Sequence, residues 1–286
     1  MEQNEMSILV TGKNGSLSRD MQAYFGNSLL GQKIFYLGRE ELDLTNQSDV
    51  DNFFKSEKVE FVLHTAIKVG RRTHIDTYED FYENLLMWHH LSPHIDTLKL
   101  FVNFDSSSSY DRTKEIHFLK ESDVFRRLPK DFYGLAKNII CRSGLQRYSN
   151  FLNLRIFICF SENEADDRMV KGNILKYLKG EPLVIFQNRY MDFMYSYDIL
   201  KVVSHALRNY KKFGNKDYNM CHEHKLTLLD VAQMINDLSN KSSQILVQNT
   251  GHALPVTGCH QKLAKLSLDF CGVQTGIKNV YEVLKK

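Results

Sequence analysis

Three times along this chain a tyrosine precedes a lysine by four positions: Tyr110/Lys114, Tyr133/Lys137 and Tyr197/Lys201. On a helix such a pair shares one face. An ammonium beside a phenol favours the phenolate, which turns tyrosine into a usable proton donor near neutral pH. Spacing alone does not choose among the three. Context does. Tyr133 opens a predicted helix, "DFYGLAKNIICRSGLQRY", behind a strand and a polar loop, with Pro129 just upstream. Tyr110 falls in a loop without a helical pattern, and Tyr197 in the later stretch "DFMYSYD". Active groups of a parallel sheet gather at the carboxyl ends of its strands, which favours Tyr133 with Lys137.

A second candidate is "FVNFDSSSSYDR", where Ser106 to Ser109 follow a short apolar run. Both flanks carry structured patterns and the composition does not shift, so a flexible linker is the weaker reading. Residue chemistry by itself gives the four hydroxyls equal claims.

The third is "TGKNGSLS", Thr11 to Ser18, between the first strand and the first helix. Gly12 and Gly15 fit a turn whose missing side chains let backbone approach a pyrophosphate. Lys13, Asn14, Ser16 and Leu17 complete the turn and helix start, whose free N–H groups and dipole favour an anion. Ser18 stands where the strict pattern has a third glycine, which predicts looser packing of helix on strand. The second strand ends at Leu37-Gly38, and Arg39 follows where an NAD site usually carries an acid. A guanidinium pairs with a 2′-phosphate, so the expected cofactor is NADP(H), with Asp43 and Leu44 along the adenine. The plain alternative makes Arg39 a surface residue paired with Glu40 or Glu41.

These groups need a scaffold, and the patterns supply one. Strands at "SILV", "KIFYLG", "VEFVLHTA", "LKLFVNF" and "FLNLRIFICF" alternate with helical stretches. Continuous apolar strands between helices predict an α/β fold: a Rossmann-type parallel sheet with helices on both faces, plus a smaller α/β C-terminal substrate lobe. The expected division is residues 1–160 for the dinucleotide domain, with 188–212 returning to it, and 161–187 with 213–286 for the lobe. In the lobe "TLLDVAQMINDLSN" reads as a helix with Thr227 as N-cap.

Composition narrows the function class. The chain has 286 residues, 43% hydrophobic and 25% charged, with a net charge of +3. Lys and Arg are dispersed, which argues against nucleic acid as a partner. No apolar run approaches a membrane span, and the N-terminus reads without a signal-peptide core. Five cysteines, none in CxxC spacing, read as thiols in a reducing, cytoplasmic setting. His89 and His90 read as structural. Cys221, His222, Glu223 and His224 are too close in sequence to converge on one ion, so no metal is expected.

The set "TGKNGSLS", "LHTA", "SSSSY", "YGLAK" and "MDFMYSYDILKVV" resembles the extended short-chain dehydrogenase/reductases, the NAD-dependent epimerase/dehydratase family. "GREELDLTNQSDV" and "HTAIKVG" carry a closer similarity to GDP-fucose synthase and other nucleotide-sugar 4-keto reductases. The resemblance covers nearly the whole chain. It implies Ser106, four residues before Tyr110, as the catalytic serine, with Ser107 and Ser108 lining the substrate site. It also implies Thr65 and Ala66 beside the cofactor, Lys68 and Val69 toward substrate, and a homodimer through two helices of the dinucleotide domain. The implied reaction is hydride transfer from NADPH to carbon 4 of a keto sugar, with Tyr133 as proton donor. In that picture Lys137 tunes Tyr133 and holds the ribose, and Ser106 bonds the carbonyl oxygen.

Departures from the family pattern refine this. Family members that epimerise carbons 3 and 5 use a Cys and a His at positions that fall on Ser108 and near Met169 here. The expectation is therefore 4-reduction without epimerisation. Met191 stands where an Arg commonly precedes "DF", and Arg189 is the candidate replacement on the sugar diphosphate. The competing expectations are a nucleotide-sugar epimerase, either an NAD(H)-retaining 4-epimerase or a fucose-synthase-like epimerase/reductase, and a non-catalytic dinucleotide-binding scaffold.

Overall fold

The computed structural model describes residues 6–68 and 75–286. The chain divides into two compact units with interleaved segments: residues 1–114, 121–155 and 202–218, and residues 115–120, 156–201 and 219–286. The expected boundaries differ from these at three places. The returning segment is 202–218, the second unit claims 156–160, and a short piece after the serines also belongs to it.

The chain begins with β1 (Ser7–Thr11), α1 (Ser16–Phe25), β2 (Ser28–Leu29), β3 (Gln32–Leu37), α2 (Gln47–Ser56), β4 (Val59–His64), α3 (Tyr78–Leu91) and β5 (Leu100–Ser106). It continues through β6 (Ile116–Leu119), α4 (Phe132–Arg147), β7 (Phe151–Ile156), β8 (Ile158–Phe160), α5 (Met169–Lys179), β9 (Leu183–Asn188), β10 (Tyr190–Met191) and β11 (Phe193–Tyr195). It ends with α6 (Ser196–Arg208), α7 (Tyr210–Phe213), β12 (Lys216–Met220), β13 (Leu226–Thr227), α8 (Leu228–Asn236), β14 (Ile245–His252), β15 (Val256–Gly258), α9 (Gln261–Ala264) and α10 (Gly272–Leu284).

The first unit is built on a seven-stranded sheet in the order β12-β7-β5-β4-β1-β3-β2. β1 pairs in parallel with both β3 and β4, and β4 with β5; the short β2 runs antiparallel to β3. β1 thus has its sequence successors on opposite sides, and the switch in strand order opens a crevice at its carboxyl end. One face buries Leu9, Val62, Phe101 and Phe151 against Val50, Trp88 and Ile140. Trp88 meets Phe101 and Phe151 edge-on at 5.8 and 5.7 Å. Residues of opposite parity, Ile8, Val10, Leu63 and Val102, are equally buried, so both faces are covered. From α3, Met87, Trp88 and Leu91 go into this core, while Tyr78 and Tyr82 stay exposed.

The helices start where local chemistry stops the strands and loops. Asn46 caps α2, Thr77 and Asp80 form a capping box on α3, and Asp131 accepts the Gly134 N–H of α4. Thr227 caps α8 in a second capping box, with Asp230, as the sequence predicts.

The second unit packs Ile174 and Tyr177 of α5, Val231 and Ile235 of α8, and Ile277 and Val280 of α10 around Phe160 and Phe193. It carries a four-stranded sheet, β13-β10-β15-β6, and two strand pairs, β11-β8 and β14-β9. "FLNLRIFICF" is two strands, β7 and β8, in different sheets. The polar stretch after the serines contains β6, paired with β15. The expectation that every sheet strand is continuously apolar also fails: Asn103, Asp105, Asn153, Arg155, Asp217 and Asn219 are buried on β5, β7 and β12. Among the described residues no helix is long and apolar enough to cross a membrane.

Candidate active site

The glycine turn sits at the crevice beside β1. Gly12 has φ +74°, and a Cβ there would lie 2.8 Å from Ala66 Cα and 2.9 Å from Ala66 N. Only glycine fits so close an approach at that dihedral. The turn is closed by Gly15 N–H to Gly12 O at 2.9 Å and Lys13 N–H to Leu37 O at 3.1 Å. Gly15 is the N-cap of α1, and no side chain caps that helix. Asn14, Ser16 and Leu17 lie in this turn and first helical residues. Ser18 is fully enclosed despite replacing the third glycine.

The end of β4 is tied to the same turn. Thr65 Oγ1 donates to Thr11 O at 2.6 Å, and Ala66 N–H donates to Thr11 Oγ1 at 3.1 Å. That hydroxyl also lies 3.0 Å from His64 Nδ1. Burial, with the Lys137 cation adding to it, holds His64 down to about 3, so the ring is neutral.

Beyond the turn is a cavity of ≈ 190 Å³ whose lining includes Gly12, Arg39, Asp43, Leu44, Ala66 and Lys68. Arg39 is 3.4 Å from Asp43 and 3.5 Å from Glu83, and donates to Thr45 Oγ1 at 3.3 Å. Lys13, not Arg39, pairs with Glu41, so the partners of Arg39 differ from the Glu40 or Glu41 expected for a plain surface residue. Lys68 exchanges two 2.8 Å hydrogen bonds with the Asn84 side chain through its backbone, and its ammonium meets Glu83 at 2.6 Å. Lys68 therefore shares the cavity with Arg39, where the sequence placed it toward substrate. Val69 lies outside the described residues.

The serines close the carboxyl end of β5. Ser106 caps a short 3-10 turn, Ser107–Ser109, its Oγ accepting the Ser108 N–H at 3.2 Å. Its own O–H remains free to donate. Ser107 and Ser108 are buried, and the fully buried Ser109 donates its hydroxyl to Asp105. The first turn of α4 sits directly on this turn: a Cβ on Gly134 would lie 2.4 Å from Ser108 O. Asn138 donates to Ser109 O at 2.8 Å, and Lys137 Nζ donates to Phe104 O at 2.6 Å. The Tyr133 backbone N–H reaches Asp76 at 3.4 Å. Burial pulls the Lys137 ammonium down to about 8, opposed by the charge of Asp105 and by Cys141.

The other two Tyr/Lys pairs are otherwise engaged. Tyr110 is buried, with Arg155 donating to its hydroxyl at 3.1 Å and stacking over its ring at 4.8 Å. Tyr197 donates to Glu162 at 3.2 Å, and Lys201 pairs with Asp198 at 3.2 Å. Arg189 belongs to the second unit, between β9 and β10, where its carbonyl accepts the Leu228 N–H at 3.1 Å. Met169 opens α5.

Sequence reasoning missed His64, Asp105, Asn138 and Arg155. A signal existed for two of them. "NFD" and "NLR" each place polar residues two apart in an apolar strand, which puts both on one face of the sheet.

A glycine turn at a strand-order switch, an uncapped helix start and a cavity beyond it define a dinucleotide-binding α/β protein. The turn has no space for a Cβ at Gly12 and leaves the N-terminus of α1 without a side-chain cap, which fits such a cofactor. The chain matches the NAD dependent epimerase/dehydratase family over residues 8–221 and belongs to it. No match was found among curated protein sequences. Among solved structures it is similar to MlghC, a GDP-mannoheptose C4 reductase from Campylobacter jejuni with NADP bound (TM-score 0.79, 22% identity, 100% of each chain). It is also similar to a GDP-L-fucose synthetase from Naegleria fowleri (0.81, 18%, covering 98% of this chain and 92% of that one). A third is the UDP-glucose 4-epimerase of Thermotoga maritima (0.80, 17%, 98% and 99%). At these identities the likeness is one of fold.

Proposed function

We propose that the protein is an NADPH-dependent reductase of a nucleotide-linked 4-keto (6-deoxy) sugar, acting at carbon 4 without 3,5-epimerisation. One observation carries this reading: the first turn of α4, with Tyr133 and a buried Lys137, is pressed onto the serine turn, Gly134 against Ser108 O and Lys137 on Phe104 O. Gly12 to Leu17, Thr65 and Ala66 would hold the pyrophosphate side of the cofactor; Arg39, Asp43, Leu44 and Lys68 would hold its adenosine end. When bound, NADPH supplies the hydride. Ser106 donates to the ketone oxygen, and Tyr133 gives its phenolic proton to the alkoxide that forms there. Lys137, as an ammonium, stabilises the resulting phenolate. Ser107 and Ser108 line the sugar, and Arg189 serves its diphosphate. Ser108 is a poor base and Met169 transfers no proton, so nothing at these two positions removes protons from carbons 3 and 5.

A second reading, an NAD(H)-retaining 4-epimerase, draws on the carboxylates of Glu41, Asp43 and Glu83, which already pair with Lys13 and Arg39. We place the protein in the cytoplasm as a homodimer, the exposed rings of Tyr78, Tyr82 and Phe132 being the available apolar surface of α3 and α4.

The test is Tyr133→Phe against wild type with NADPH and 4-keto-6-deoxy sugar nucleotides. The expected loss in kcat is about 100-fold or more, with no solvent deuterium entering carbons 3 or 5. Equal turnover would remove Tyr133 from the mechanism. Deuterium at those carbons would restore an epimerase step.

A further inference from the structure

Behind the serine turn lies a charged row that the proposed chemistry does not touch directly. It runs across three neighbouring strands of the first unit. Arg155 on β7 is fully buried. Its Nε donates to Asp105 Oδ2 on β5 at 2.8 Å, and one terminal nitrogen donates to Asp217 Oδ2 on β12 at 3.0 Å. The same nitrogen reaches Cys141 Sγ at 3.1 Å, and the other donates to Tyr110. Asn153 Nδ2 bridges the two carboxylates, at 3.1 Å to Asp105 and 2.8 Å to Asp217. A charge buried this completely survives only when paired and hydrogen-bonded, and each member here is.

Asp105 differs from the rest of the row in where it stands. It lies between Phe104, whose carbonyl receives Lys137, and Ser106, the cap of the serine turn. Its Oδ1 accepts the Ser109 hydroxyl at the far end of that turn. The titratable groups coupled to Lys137 are Asp105 from β5, His64 from β4 and Cys141 on its own helix; Tyr133 stands one turn before it on α4. Burial keeps His64 neutral and the Cys141 thiol protonated. Asp105, clamped on its other side by Arg155, is the carboxylate left to balance the Lys137 ammonium.

We propose that Asp105 is a positioning residue of this site: held by Arg155 and Asn153, it fixes the Ser106–Ser109 turn through Ser109 and supplies the counter-charge to Lys137. The proposal rests on the reading of Ser106, Tyr133 and Lys137 as the catalytic set. Asp217 shares Arg155 and Asn153 but stands on β12, at the other end of the row from β5 and its serine turn, so it is the structural control.

The experiment compares wild type with Asp105→Asn and Asp217→Asn, using lysine labelled with carbon-13 at Cε, the Lys137 signal being assigned from Lys137→Arg. In wild type the Lys137 transition is expected near pH 8, where burial and Asp105 together place it. In Asp105→Asn it should move to lower pH by about one unit, and in Asp217→Asn it should stay. The alkaline limb of kcat should follow the same shift, with KM for NADPH within about twofold of wild type. Unmoved titration in Asp105→Asn, or an equal shift in Asp217→Asn, overturns the proposal. A shifted titration in a protein that turns over no keto-sugar nucleotide supports the coupling and sinks the catalytic reading instead. If Asp105→Asn does not fold, Ser109→Ala tests the other contact: a fall of about tenfold in kcat with KM for NADPH unchanged supports the proposal, and unaltered kinetics overturns it.

Discussion

His64 shows how a residue without a direct role in chemistry governs a binding edge. The Thr11 hydroxyl oxygen accepts the Ala66 N–H, which leaves its proton for His64 Nδ1; together they fix the strand ends between which Gly12 is pressed. A protonated ring would lose that acceptor inside a buried site. Because the folded value lies near 3, well under the ~6.5 of a free histidine, the unfolded chain binds a proton between those values that the native chain refuses. His64 therefore contributes stability that is complete above about pH 6.5 and is lost as pH falls, with a slope approaching about 1.4 kcal/mol per unit. Urea midpoints at about pH 7 and about pH 5 should fall further apart in wild type than in His64→Gln; parallel behaviour would remove His64 from the account. Gly12→Ala is the sharper change. With φ +74° and Ala66 backbone 2.8 Å from the new Cβ, we expect a cost of about 1–3 kcal/mol and loss of dinucleotide binding, read by calorimetric titration.

At the scale of elements, α4 joins the scaffold to the proposed chemistry, and two glycines seat it. Gly134 meets the serine turn at Ser108 O, and Gly144 meets the Phe151 ring, 2.3 Å from a would-be Cβ. The two should separate function from stability. Gly144→Ala overpacks the core and should cost about 1–3 kcal/mol in urea unfolding while leaving KM and kcat of the folded fraction near wild type. Gly134→Ala pushes a Cβ against the backbone of the turn that carries Ser106, so kcat of the folded fraction should fall by about tenfold or more. If both variants behave alike, the turn is not a functional contact. Much of this element was legible in the sequence: the helix, its Tyr133 and Lys137, and the serines before it follow from pattern and position. Its supports were not. Asp105 and Arg155 sit fifty residues apart, and only the sheet order brings β5 beside β7. A reading by apolar runs passes over the paired polar residues of "NFD" and "NLR" that mark the buried row. Likewise "FLNLRIFICF" gives no local reason to break at Phe157; the break arises because β7 and β8 join different sheets.

For the molecule as a whole, the binding of a dinucleotide is a statement about stability. The glycine turn, the cavity and the α4 contacts all belong to the first unit. A ligand held there at 100 times its Kd adds about 2.7 kcal/mol, a rise in Tm of roughly 5 °C for a chain of this size. The choice between NADPH and NADH turns on which charges meet the 2′ position. Arg39 is 64% exposed in its side chain and touches Asp43 and Glu83 only at 3.4 and 3.5 Å, so those pairs are long and solvated and readily exchanged for a phosphate. Lys13 is held more closely, by Glu41, which also accepts the Gly38 N–H at 2.9 Å. We therefore expect NADPH to raise Tm more than NADH at equal concentration. Glu41→Gln, which releases Lys13 without changing the size of the side chain, should widen that gap by about tenfold in Kd ratio. Arg39→Ala should close it while leaving the NADH shift in place. A wild type stabilised more by NADH, with Glu41→Gln moving it toward NADPH, would instead assign Glu41 to the ribose hydroxyl and favour the epimerase reading.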